Sequence, residues 1–303
     1  SEFSALAATL PPPVSALARA EPERFLAPLA GALGSAPGVL LLVDKARGLD
    51  RSWVPPDLVD LEPGTLNLSK TGLRLRAVVV DDLVALCEAA RADGALPAIS
   101  SAWRSWDTQA ALWDRALQTQ PRGQVERELA VPGHSQHQLG TVIDLGSIDD
   151  SFADTAAGRW MAANAWRFGW SLSYPQGRER ETGYRWESWH YRWLGRPAAE
   201  LVHVFFGDSQ QLFLEFFTAR EAALRAKLRA VDQRRSSGGS RNAPWRRMRN
   251  GRIDEIPGHA ADGGRHGHAV GPDGHHTLQH VAALACGNRQ AERHVRFRRR
   301  GAD

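Results

Sequence analysis

"GHSQHQLGTVIDLG", Gly133 to Gly146, gathers His134, Ser135, His137, Gly140 and Asp144 into fourteen positions of a 303-residue chain that has 11 histidines in all. The apolar run "TVIDL" that follows Gly140 reads as a short strand. Its alternation turns Val142 and Asp144 to one face and Thr141, Ile143 and Leu145 to the other. A carboxylate set among aliphatic side chains is costly to bury unless something compensates its charge. Two imidazoles just upstream suggest a metal ion, because zinc takes imidazole nitrogen and carboxylate oxygen, and hydrolytic sites keep three protein ligands with a fourth position open for water.

Two further clusters have the same texture of polar groups among aromatics: "SSAWRSWDTQ" at 100–109 and "YRWESWHYRW" at 184–193. His190 in the latter completes a three-ligand set with His137 and Asp144. Two His and one Asp favour zinc over magnesium or calcium. Glu187 and His190 are an odd number of residues apart, so an ideal strand would point them to opposite faces; if both serve one centre, the chain turns or bulges around Ser188. With that bend, Glu187 can act as a general base, and Trp186, Trp189, Tyr191 and Trp193 are expected to wall the site and keep it dry. Taken singly, each residue also has an ordinary structural reading: Asp144 capping a turn, Glu187 paired with Arg185 or Arg192, each histidine hydrogen-bonded to protein, and the tryptophans in the core.

The three clusters together, in this order, resemble the VanY-type D-alanyl-D-alanine carboxypeptidase family. Its signatures are Ser-x-His-x-x-Gly-x-Ala-x-Asp, matched by Ser135, His137, Gly140 and Asp144; Glu-x-Trp-His, matched by Glu187, Trp189 and His190; and Arg-Ser-x-x-x-Gln, matched by Arg104, Ser105 and Gln109. Val142 replaces the small alanine of the first signature, at a position that packs and does not ligate. The similarity runs from about Leu40 to about Phe217. It implies an α+β fold of the Hedgehog/DD-peptidase kind, a small antiparallel sheet flanked by helices with one zinc ion (Zn2+) in a cleft. It also implies His137, Asp144 and His190 as metal ligands, Glu187 as catalytic base, Arg104 near the scissile carbonyl as a stabiliser of developing charge, and Gln109 and Ser135 as substrate-binding residues. His134 has no counterpart in the signature and is expected beside the cleft or behind the ligands.

The activity implied is zinc-dependent removal of the terminal D-alanine from a peptidoglycan stem peptide or precursor, with a bacterial cell-envelope or periplasmic location. L,D-carboxypeptidases, D,D-dipeptidases and cell-wall endopeptidases share the fold and differ in cleft-closing loops. A non-catalytic, metal-stabilised cell-wall-binding module is the alternative from another class, and the intact Glu187 argues against it.

Elsewhere the chain reads as follows. Residues 1–36 are a leader containing a helix over Pro22–Leu33, and the Ser1-Glu2-Phe3 start looks trimmed or like an expression scar, so an export signal is not visible. "GVLLLVDK" from Gly38 predicts a strand, "LRAVVVDDLVALCEAARADG" a helix ending at Gly94, "LPAISSAWRS" a strand and "WDTQAALWDRALQTQ" a helix. "GRWMAANAWRFGWSLSYP" predicts a helix and then a strand, "TGYRWESWHYRWLG" a strand, and two helices follow. Strands scattered among helices without a βαβ rhythm argue for α+β. The catalytic domain is expected over 37–233.

The apolar content of 43% suits a globular protein. No run approaches the roughly eighteen apolar residues a transmembrane helix needs. Cys87 reads as a buried thiol, and Cys286 lies far from it. From residue 234 onward there are 14 Arg against 6 Asp and Glu, with 7 of the 11 histidines, leaving 24 basic and 28 acidic residues before it. That composition predicts a disordered Arg/Gly/His-rich tail. A nucleic-acid arm, metal sequestration by its histidines and a shifted reading frame are alternatives for the tail; the body itself carries no nucleic-acid signature. Oligomeric state is not legible.

Overall fold

The computed structural model describes residues 2–237. Residues up to Ala222 form one compact unit, and those from Ala223 belong to a second. The tail expected from residue 234 lies outside the described residues except for its first four.

Three helices open the chain, α1 (Glu2–Ala7), α2 (Pro12–Ala20) and α3 (Pro22–Leu33). Proline at the first position of α2 and α3 suits a helix start, where its missing N–H would be unpaired anyway. The expected helix over Pro22–Leu33 is present. The N-terminal segment is not separate from the domain, however. Phe25 is fully buried against Phe205 (5.1 Å between ring centroids, edge to face) and Phe216 (6.4 Å), and Arg220 donates to the Thr9 carbonyl at 3.0 Å. The apolar stripe of α3 is thus part of the core.

β1 (Leu58–Asp60) and β2 (Arg74–Arg76) pair as an antiparallel hairpin, followed directly by α4 (Ala77–Ala92). β3 (Ile99–Ser101), α5 (Trp106–Thr119) and α6 (Arg122–Glu128) come next. Then come β4 (Val142–Leu145), α7 (Ala156–Asn164), β5 (Trp170–Leu172), α8 (Glu179–Thr182), β6 (His190–Trp193), α9 (Arg196–Val204) and α10 (Gln210–Ser237). The main sheet is antiparallel in the order β3-β4-β6-β5, which is the small sheet of an α+β fold.

Two expected strands differ. "GVLLLVDK" forms turns and extended chain with no ladder: Val39, Leu40, Leu42 and Val43 are buried, but the Val39 and Leu41 carbonyls accept from the buried Arg192 guanidinium at 2.8 and 2.7 Å. An arginine side chain here does the work of a neighbouring strand. In "TGYRWESWHYRWLG" only His190–Trp193 is strand. The residues before it turn, as the shared use of Glu187 and His190 required. The helices predicted within 75–94 and 106–120 are present as α4 and α5, and Ser105 caps α5 by accepting from the Thr108 N–H at 3.1 Å. Cys87 is buried, and burial raises its thiol to about 11. Among the described residues no helix is long and apolar enough to cross a membrane.

Candidate active site

β4 and β6 build the floor. Their register sets Asp144 directly across from His190, and Asp144 also pairs with Ser101 of β3. His137 arrives from a 3-10 turn, Gln136–Leu139, which Ser135 caps through its Oγ. That turn ends at Gly140 in the left-handed conformation (φ 71°), where a Cβ would come within 3.0 Å of Pro55 and Arg76 side-chain carbons. Glycine is required there to swing the chain from the histidine turn into β4.

The ligand atoms offered by His137, Asp144 and His190 all lie within 4.8 Å of one another, and all three residues are buried. His137 Nε2 is 3.0 Å from Asp144 Oδ2, and His190 Nδ1 is 3.1 Å from Asp144 Oδ1. His137 Nδ1 donates to the Ala102 carbonyl at 2.6 Å. That bond assigns the proton to Nδ1 and leaves the Nε2 lone pair facing the carboxylate. Burial, with Arg104 and His190 nearby, pulls His137 down to about 4 although Asp144 opposes this, so the imidazole is neutral near pH 7. Burial alone would raise Asp144, but the His137 and His190 interactions outweigh it and hold the carboxyl well below its ordinary range. A neutral imidazole and an ionised carboxylate are the forms a cation needs. Two acceptors facing each other at 3.0 Å, with Asp144 Oδ1 buried without a hydrogen-bond partner, fit a metal better than they fit an empty core.

Glu187 Oε2 stands 3.6 Å from His190 Nδ1. The Glu187 N–H donates to the Tyr174 carbonyl at 3.1 Å, which fixes the turn before β6. Burial, then the like charge of Asp144, lifts its carboxyl to about 8, against the pull of Arg185 and Arg104. Arg104 Nη2 lies 3.7 Å from Asp144 Oδ2. Burial lowers the Arg104 pKa, and Asp144 and Glu187 oppose that. Nη2 of Arg104 also donates to Ser101 Oγ at 3.2 Å and Nη1 to Gln109 Oε1 at 2.7 Å.

A cleft of about 130 Å³ brings together Arg104, Gln109, Ser135, His137, Asp144, Glu187 and His190, so every site residue read from the sequence lines one space. Gln109 is only 1% exposed, and both ends of its amide are engaged: Oε1 holds Arg104, and Nε2 donates to the Ala130 carbonyl at 2.6 Å. It orients Arg104. His134 is away from this lining, with Nδ1 donating to the Asp44 carbonyl at 2.8 Å, so it fastens a loop. Of the four aromatics expected to wall the site, only Trp189 does. The alternation of β6 sends Tyr191 and Trp193 to the opposite face, where Trp193 Nε1 donates to Asp82 at 3.0 Å. Tyr174, which the sequence reading left without a role, packs its ring 4.8 Å from that of His190. Its place in "SLSYP" carries no local sign of that contact. Val142 is fully buried and outside the cleft lining.

Residues 72–196 match the family model described as VanY, D-alanyl-D-alanine carboxypeptidase. A Bacillus subtilis protein, YodJ, provisionally named a carboxypeptidase, is 31% identical over 186 residues, covering 59% of this chain and 67% of that protein. The chain belongs to the VanY family. An Enterococcus faecalis D-alanyl-D-alanine carboxypeptidase is 33% identical over 127 residues, 39% of this chain, and there the chain spans about half of the relative's length, 47%. The structure of the LdcB LD-carboxypeptidase superposes with a TM-score of 0.54 at 28% identity, covering 59% of this chain and 87% of that one. The VanY-family fold is therefore the Hedgehog/DD-peptidase fold.

Proposed function

We propose that this protein is a zinc-dependent carboxypeptidase that removes the terminal D-alanine from peptidoglycan stem peptides. One observation carries the reading: a buried His137–Asp144–His190 group has the Glu187 carboxyl 3.6 Å from His190 Nδ1 and the Arg104 guanidinium 3.7 Å from Asp144 Oδ2, inside one cleft. Zinc held by His137, Asp144 and His190 would polarise the scissile carbonyl and lower the pKa of a bound water.

Glu187 takes the proton of the attacking water and returns it to the departing amino group of D-alanine. Its carboxyl, raised by burial, falls again beside a cation, which makes it a base near neutral pH. Arg104, held by Gln109 and Ser101, presents a fixed positive charge to the oxygen that gains charge as the carbonyl carbon becomes tetrahedral. Ser135, whose side chain both caps the His137 turn and lines the cleft, is placed to bind the peptide. A binding module would have no use for a buried carboxyl beside the ligand set. Activity in the bacterial cell envelope or periplasm fits a stem-peptide substrate.

The test is incubation with a D-Ala-D-Ala-terminated pentapeptide, its tetrapeptide and free D-Ala-D-Ala, with zinc or with chelator, followed by mass analysis. Release of one D-alanine from the pentapeptide only, abolished by chelator and restored by zinc, is the expected result. Cleavage confined to the tetrapeptide or to the free dipeptide would replace the D,D-carboxypeptidase reading by its L,D or dipeptidase counterpart.

A further inference from the structure

Among the described residues, Ile148 and Asp208 are the non-glycine residues with positive φ, and Ile148 is the β-branched one, at 58°. Aspartate tolerates the left-handed region, whereas a β-branched side chain there is a steric outlier that persists only where its surroundings impose it. The loop leaving β4 is imposed from both ends. The Gly146 N–H donates to the Ala98 carbonyl at 2.8 Å, and the Gly146 carbonyl accepts from Ser100 Oγ at 2.6 Å. A Cβ on Gly146 would meet the Phe152 ring at 2.5 Å. On the far side Asp149 Oδ1 accepts from the Ser151 N–H at 2.9 Å, and Asp150 is bound to the Arg185 guanidinium at 2.7 Å.

None of these anchors uses the Ile148 side chain. It is 42% exposed and lines the rim of the same cleft whose floor is the His137–Asp144–His190 group. A glycine or asparagine would adopt this conformation with less strain, and a half-exposed isoleucine adds little to the core. What the strained position presents is an aliphatic side chain at the cleft lip. The space of about 130 Å³ accommodates the small residue that is released and the bond being cut, so a longer substrate leaves past the rim on its acyl side.

We infer that Ile148 is a specificity-determining residue that packs against the aliphatic side-chain stem of the peptide's third residue, the one preceding the D-Ala-D-Ala pair. This rests on the carboxypeptidase reading of the cleft. It requires that the loop between β4 and α7 select for peptides with a long aliphatic side chain at that position.

The experiment compares the full-length, zinc-loaded protein with Ile148→Asn and Ile148→Gly on two substrates, a pentapeptide with lysine third and N-acetyl-D-Ala-D-Ala, which lacks that residue. The KM for the pentapeptide should rise about fivefold, equivalent to about 1 kcal/mol at about 1.4 kcal/mol per tenfold, with kcat within twofold. The acetylated dipeptide should show no change, and the melting midpoint of Ile148→Asn should equal or exceed that of the unmodified protein. Equal changes on both substrates, or a lowered melting point with unchanged KM, would overturn the assignment and leave Ile148 a structural residue. If the unmodified protein cleaves neither peptide, the carboxypeptidase reading fails and the inference falls with it. If it cleaves both and the variants match it, only the inference falls.

Discussion

Glu187→Gln separates the chemistry of the site from its architecture. Glutamine has nearly the same shape, so the turn before β6, held by the Glu187 N–H on the Tyr174 carbonyl, is retained, and none of the three ligand residues is altered. In the metal-free protein, burial and Asp144 lift the Glu187 carboxyl from 4.5 to about 8. The unfolded chain gives up this proton near 4.5 and the folded chain keeps it to about 8, so stability is lost as pH rises through that window. At about 1.4 kcal/mol per pH unit, the loss from this group reaches on the order of 3 kcal/mol by pH 7. A neutral amide has no such dependence. Urea unfolding of chelator-treated protein should therefore show the variant gaining on the unmodified chain between pH 4.5 and 8, with the difference smallest at the acid end. With zinc restored, the variant should retain the metal and lose about 10²- to 10⁴-fold in kcat, the usual worth of a general base. A stability difference that does not change with pH refutes the burial argument for Glu187, and full turnover refutes its role as base.

His190→Ala should abolish stoichiometric zinc in elemental analysis, because it removes one of three ligands and the strand residue facing Asp144; unchanged zinc content would contradict the ligand set. Gln109→Ala leaves the Ala130 carbonyl and one Arg104 nitrogen without a partner, costing about 1–3 kcal/mol in urea unfolding. It should lower kcat more than it raises KM while zinc content holds; a change in KM alone would make Gln109 a substrate-binding residue after all. Phe25→Ala empties a fully buried site between Phe205 and Phe216 and should cost about 3–5 kcal/mol, read as a fall in melting temperature. An unchanged midpoint would mean that the N-terminal helices do not share the core.

The bend before β6 and the face taken by Asp144 were legible because they rest on local arithmetic, whereas the roles of ligand and base came from the resemblance to the VanY-type family. Strand alternation put Asp144 apart from Ile143 and Leu145, and the odd spacing of Glu187 and His190 demanded the turn that precedes β6. The same alternation, applied strictly, would also have removed Tyr191 and Trp193 from the cleft, since they cannot share a face with His190. The helices that became α4 and α5 followed from apolar periodicity, and the Ser105 cap of the second emerged only in the structure.

What the sequence by itself determined is the supply of groups: two imidazoles, two carboxylates and a guanidinium in three ordered motifs, with Asp144 set by the strand period of 2 and the His137 turn closed by Gly140. The tertiary structure decided which backbone groups serve those side chains. The Ala102 carbonyl selects the His137 tautomer, the Ala130 carbonyl occupies Gln109, and the Val39 and Leu41 carbonyls turn an expected strand into a segment tied to Arg192. A carbonyl is the same in every residue, so its recruitment by a distant side chain leaves no mark in the order of amino acids. The strain at Ile148 is equally silent, because the anchors that impose it come from Ala98, Ser100 and Arg185, residues brought beside the loop only when the sheet closes.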